Sequence, residues 1–131
     1  MAKHNDVGRV GELVATEYLE SKSLSIVDRN WSKPYGEIDI VARETSGLLH
    51  FVEVKTVSWE TANVSTGAVP HETIRPEENV HIEKLKRLSR VIQSYLVSHG
   101  TEDDWQFDVI AIFLDQKSKK AKVRWLQDVV L

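Results

Sequence analysis

The sequence predicts an α/β fold in the order αβββαββ, with helices packed on a mixed sheet. Three observations carry this expectation. Two well-separated stretches have apolar residues at helical spacing. Two apolar runs in mid-chain are joined by a short turn, as in a hairpin. A further apolar run follows the second helical stretch.

In chain order, Val7, Val10, Val14 and Tyr18 recur at helical spacing over residues 6–21, and Asn5 or Asp6 is placed to cap that helix. A strand is expected at 24–31, and two more at 37–43 (EIDIVAR) and 48–57 (LLHFVEVKTV), joined by Glu44-Thr45-Ser46-Gly47. Residues 58–77 hold Gly67, Pro70 and Pro76 without a period and read as a long loop. A second helix is expected at 77–99, with Leu85, Leu88, Ile92, Tyr95 and His99 along one face and Gly100 as its C-terminal cap. A strand at 106–114 (QFDVIAIFL), a polar turn at 116–120 and a last strand at 121–126 complete the order.

A chain of 131 residues suits one domain, 1–131. Hydrophobic residues at 41% and charged residues at 28% fit an ordered globular protein. No apolar run approaches a membrane span, and residues 1–6 carry no apolar leader core. Without cysteine, disulfides, thiolate metal sites and cysteine nucleophiles are excluded. A cytoplasmic protein with no membrane partner is the expectation. A net charge of −3 counts against nucleic-acid binding, unless the basic residues are confined to one face.

The mid-chain hairpin carries the chemistry. With Thr45-Ser46-Gly47 as its loop and Gly47 at positive φ, Ile40 faces Val52, Val41 faces Phe51 and Ile38 faces Val54. The same register sets Asp39 opposite Glu53 and Glu37 opposite Lys55. Opposed carboxylates about 5 Å apart repel, and more so among apolar neighbours. A divalent cation with hard oxygen ligands, Mg²⁺ or Mn²⁺, relieves that repulsion. Without metal, one acid should hold a proton. Lys55 lies about 7 Å beyond Glu53 on the same face, where it can orient a water or steady charge on a phosphate. From spacing alone, an ion-pair ladder of Glu37 with Lys55 accounts for these charges equally well.

Gly36-Glu37-Ile38-Asp39 followed by Phe51-Val52-Glu53-Val54-Lys55 resembles the PD-(D/E)XK nuclease signature. With Gly8-Arg9-Val10-Gly11-Glu12, Asn30, Lys84 and Phe107-Asp108-Val109, the chain resembles the YraN-type family of predicted bacterial endonucleases over nearly its whole length. That family is related to Holliday-junction resolvases. The resemblance implies a restriction-endonuclease-like core and metal-dependent hydrolysis of DNA, branched or single-stranded. Asp39 and Glu53 would hold the metal, with the Val54 carbonyl as a further ligand. Lys55 would be the catalytic lysine, and Glu12 would add a ligand or a base from the first helix. On spacing alone Glu12 is a solvated helix residue. Glu37 would flank the site as the partner of Lys55. Lys84, with Lys86 and Arg87, would contact nucleic-acid phosphate, although a solvated helix face shared with Arg90 is the alternative. Asp108 is expected to be structural or to support a residue of the site from behind.

Two positions depart from the family pattern. Val57 and Gln106 stand where arginine is frequent, which takes positive charge from the expected DNA face. Two rival readings therefore stay open: a nucleic-acid-binding module without turnover, and a protein-interaction domain. Resolvase-like enzymes act as dimers on two-fold junctions, so a homodimer is in view, though no interface stripe stands out. His50, His71, His81 and His99 show no paired metal spacing, so no zinc is assigned. Trp31, Trp59, Trp105 and Trp125 are expected in the core or at its rim, with Trp59 the best candidate to stack a base.

Overall fold

In a computed structural model, residues 3–59 and 82–131 are described. The order is α1 (Lys3–Ser21), β1 (Ser25–Lys33), β2 (Gly36–Arg43), β3 (Leu49–Trp59), α2 (Ile82–His99), β4 (Trp105–Asp115) and β5 (Lys120–Leu126). The αβββαββ expectation thus holds among the described residues. Most of the expected 58–77 loop, and the first residues of the expected second helix, lie outside them. Ser58 and Trp59, assigned to that loop, extend β3 instead.

The helix ends follow local chemistry. α1 begins at Lys3, so Asn5 and Asp6 lie inside it rather than capping it, and Asp6 pairs with Arg9 at 2.6 Å. At its other end Ser23 takes φ 70° and the Leu24 N–H donates to the Leu19 carbonyl, which buries Leu24 against the helix. Gly100 does the same for α2 as expected: it takes φ 59° and the Thr101 N–H donates to the Leu96 carbonyl.

The sheet runs β1-β2-β3-β4-β5, antiparallel except for the parallel β3–β4 pair. The parallel step needs a crossover, and α2 lies within it. Each face buries one helix. Val41, Phe51, Phe107 and Val109 pack with Leu88, Val91, Ile92 and Tyr95 of α2, while Ile40, Ala42, Val52, Ile110 and Ile112 pack with Ala15 and Leu19 of α1. The central strands, covered on both sides, are apolar in nearly every residue. Phe51 and Trp31 both meet the Tyr95 ring edge-on, and the Tyr95 hydroxyl donates to Asp28 at 2.7 Å, which locks α2 to the sheet.

Candidate active site

The hairpin joining β2 and β3 forms as its turn chemistry requires. Gly47 takes φ 99°, and Glu44 and Leu48 close the loop through the Glu44 N–H and Leu48 carbonyl at 2.9 Å. The pairs Ile40–Val52 and Val41–Phe51 are those expected. Beyond Ile40–Val52 the ladder ends. The expected pairs Ile38–Val54, Asp39–Glu53 and Glu37–Lys55 are not formed, because the two strands part there.

A backbone irregularity lies one strand away. Asn30 of β1 takes φ 53°, a left-handed conformation that asparagine tolerates, at the position opposite Asp39, where the β1–β2 ladder skips a pair. Side-chain alternation slips in both strands at that point. Arg29 reaches Glu12 on the α1 side, yet Trp31 packs on Tyr95 on the α2 side. Ile40 belongs to the α1-side core, yet Ile38 belongs to the α2-side core. Asp39 sits at the slip and turns its carboxylate into the gap, where it accepts the Val54 N–H at 2.8 Å.

The acids therefore meet around an opening in the sheet, not as a ladder pair on one face. Glu53 is only 6% exposed, and its carboxylate is bonded by the Lys84 ammonium from α2. Burial, and then the neighbouring Glu53 charge, push the Asp39 carboxyl up to about 8, against the opposing bond from Val54; Glu12 and Glu37 add to the rise. Glu37 is also raised, by burial first and then by Glu12 and Glu53. Four carboxylates thus feel one another. Glu37 was expected to partner Lys55, but it faces acids instead, since the strands have separated before they reach that pair. The Lys55 amine is lowered by desolvation and by the Lys84 ammonium beside it, while Glu53 and Asp39 hold it up. Desolvation lowers the Lys84 amine, but its bond to Glu53 and the charges of Glu53 and Asp39 together leave it raised.

Glu12 is held by a close approach of α1 to β3. A Cβ on Gly11 would stand 1.9 Å from the Thr56 hydroxyl, so only glycine lets the helix lie so near the strand. Glu12, partly buried rather than solvated, points toward Arg29 at 3.9 Å. Among the described residues no three Asp, Glu or His side chains converge as a ready-made cage for an ion. Lys86 and Arg87 are exposed on α2. Ser58, Thr56 and Gln116, which sequence reasoning did not single out, line a hollow beside Glu12, and Gln116 donates to Ser58 at 3.0 Å. Only the strand pairing brings Gln116 there, so no local signal marks it.

A second polar cluster lies apart from these groups. Asp108, fully buried, accepts from His50 at 2.5 Å, Trp125 and Gln106 at 2.9 Å and the Asp128 N–H at 3.0 Å. Asp108 is structural, as expected. Gln106 belongs to this network at the opening of β4.

A family model described as Uncharacterised protein family UPF0102 matches residues 11–112. The chain belongs to the UPF0102 family. It is 36% identical to a UPF0102 protein of Beutenbergia cavernae over 98% of this chain and 99% of that one. It is 33% identical to one of Flavobacterium psychrophilum over 92% and 91%, and 39% identical to one of Alkaliphilus oremlandii over 87% and 90%. The UPF0102 match opens at Gly11 and Glu12 and spans the slip at Asn30 and Asp39, Glu53, Lys55 and Lys84, so every residue of the acid–lysine cluster falls within it. No helix among the described residues is long and apolar enough to cross a membrane.

Proposed function

We propose that this protein is a metal-dependent endodeoxyribonuclease of PD-(D/E)XK type that hydrolyses phosphodiester bonds in branched or single-stranded DNA. One observation carries the reading: Asp39 and Glu53 converge at an opening in the sheet with Lys55 and Lys84 against them. Buried like charges cost stability unless something compensates them. Two carboxylates with the adjacent Val54 carbonyl suit Mg²⁺ or Mn²⁺, which take one or two carboxylates and complete their shell from water and substrate phosphate, so no full protein cage is needed. When bound, such an ion supplies Lewis-acid charge at the scissile phosphate and a more acidic water.

The side chains divide the remaining work. Asp39 is oriented by the Val54 N–H, which fixes one carboxylate oxygen. Lys84 holds Glu53 and brings a second positive charge to where a phosphate would lie. Lys55, with its lowered amine, is suited to hydrogen-bond the attacking water and to offset charge that develops on phosphorus oxygens. Glu12 stands at the mouth, where it can accept a proton or steady a water. DNA cleavage supported by Mg²⁺ or Mn²⁺ and lost in both Glu53→Gln and Lys55→Ala is the expected result. Cleavage at the wild-type level by either variant removes this mechanism.

One observation favours a second reading. Lys84 already neutralises Glu53 in this structure, as a binding module without turnover requires. DNA binding without cleavage under Mg²⁺ and Mn²⁺, on linear and branched substrates, is the outcome that selects it.

A further inference from the structure

The turn after β4 and the strand that follows are strongly basic. Between Gln116 and Leu126 lie Lys117, Lys119, Lys120, Lys122 and Arg124, five of the chain's 17 lysines and arginines, and none of its 20 acids. In a chain of net charge −3, such segregation concentrates positive potential on one hairpin. The parallel β3–β4 pairing carries that hairpin to the end of the sheet toward which β3 runs from Glu53 and Lys55. Trp59 pairs with Asp115, and Asp115 pairs with Lys120. By strand geometry, Lys120 lies roughly 16 Å from Lys55.

Two hollows connect these points. One of about 480 Å³ runs past Glu12, Val54 and Ser58 to Gln116. The other, of about 390 Å³, runs from Gln116 between Val10 and Val14 of α1 to Lys119 and Lys120. Val7 and Gln116 line both, so they form one groove. Glu12 lines one end, and Lys119 and Lys120 line the far end together with Asp6 and Asp115. Its floor there is apolar, with Val10, Val14 and Leu114. A purely solvated charge run would have no such connection to Glu12.

We propose that this groove carries a nucleic-acid backbone away from the acidic centre, and that Lys117, Lys119 and Lys120 bind its phosphates. The proposal rests on the nuclease reading above and adds where the substrate lies. At the axial rise of a nucleic-acid strand, roughly 16 Å sets the contacts about five nucleotides from the bond at the acids.

The test measures binding and cleavage separately. Fluorescein-labelled DNA, as single strand, duplex and four-way junction, is titrated with the full chain in EDTA over a range of salt concentrations. The variant Lys117→Gln/Lys119→Gln/Lys120→Gln should bind about tenfold or more weakly at low salt, with a salt slope smaller by roughly 2 to 3. Lys22→Gln, at the opposite end of α1, should match the wild type. Unchanged affinity and slope in the triple variant overturn the proposal, as does an equal loss in Lys22→Gln. Tighter binding of phosphatidylglycerol vesicles than of DNA, through the same lysines, also overturns it. If the lysine dependence holds while the wild type cleaves nothing under Mg²⁺ or Mn²⁺, the groove stands and the nuclease reading falls. If cleavage depends on Glu53 while the triple variant binds normally, the reverse is true.

Discussion

Asp39 concentrates the electrostatic tension of the site. Its carboxyl, lifted to about 8 by burial and by Glu53, holds a proton at neutral pH when no cation is near. A divalent ion must displace that proton, so binding and ionisation are linked. The apparent Mn²⁺ affinity should rise about tenfold per pH unit from pH 6 toward pH 8 and then level off. Calorimetric titration in two buffers of different ionisation enthalpy should find close to one proton released per ion at pH 7. Asp39→Asn should abolish both effects. An affinity indifferent to pH in the wild type would mean that the acids are not the ligands. Asp39 and Glu53 were legible in the sequence as neighbours across the hairpin, since alternation and turn length fixed the register up to Ile40–Val52, but their expected direct pairing was not formed. The role of Lys84 on Glu53 was not, because α2 is distant in the chain and its approach depends on the core beneath it.

At the scale of elements, two small backbone devices set the site. The first is the approach of α1 to β3 at Gly11. In most helices, alanine in place of glycine adds up to about 1 kcal/mol of stability. Here the added methyl meets Thr56 at 1.9 Å, and overpacking of this kind costs roughly 1–3 kcal/mol. Gly11→Ala should therefore lower stability in urea unfolding, and Thr56→Ala should recover part of the loss in the double variant. The second device is the slip at Asn30. A β-branched residue resists φ 53°, so Asn30→Val should destabilise by about 1–2 kcal/mol, while Asn30→Gly should be tolerated. If the slip sets Asp39, Asn30→Val should also weaken Mn²⁺ binding more than Asn30→Gly does. Equal Mn²⁺ binding by the two variants would detach Asn30 from the site. The sequence showed an asparagine ahead of the Gly-Glu-Ile-Asp segment, but a left-handed residue inside a strand has no signature in apolar alternation.

Over the whole molecule, His50, Asp108 and Asp39 together shape the pH dependence of stability. His50 is raised: its desolvation is outweighed by bonds to Asp108 and Glu44. It stabilises the fold fully below the unfolded histidine value, about 6.5, and loses that contribution as pH rises through its folded value. Asp108 is lowered: burial opposes the shift, but bonds from His50 and its other donors prevail. Its contribution is present above about pH 4 and fades as pH falls through its folded value. Asp39 is raised, so folding binds its proton more tightly and stability falls as pH climbs from about 4 to about 8. His50 and Asp39 favour acidic conditions, and Asp108 sets the lower bound. The melting temperature without metal should peak at about pH 4–5 and decline by several degrees toward pH 8. Mn²⁺ should restore much of the loss at pH 8 in the wild type and none of it in Asp39→Asn. A flat profile from pH 5 to 8 would contradict the assignment of Asp39 and His50 together.

By itself the sequence determined the order of elements, the β2–β3 turn and its register as far as Ile40–Val52, and it singled out Asp39, Glu53 and Lys55 as candidates, because each is written in neighbouring residues through periodicity, turn chemistry and the short Glu-Val-Lys run. Tertiary structure alone decided that the strands part beyond Ile40, that Lys84 lands on Glu53, that Glu37 meets acids instead of Lys55, and that the basic hairpin shares a groove with Glu12. Each of these depends on where a distant strand or helix comes to rest, and packing of the two cores sets those positions, not any pattern within a single segment.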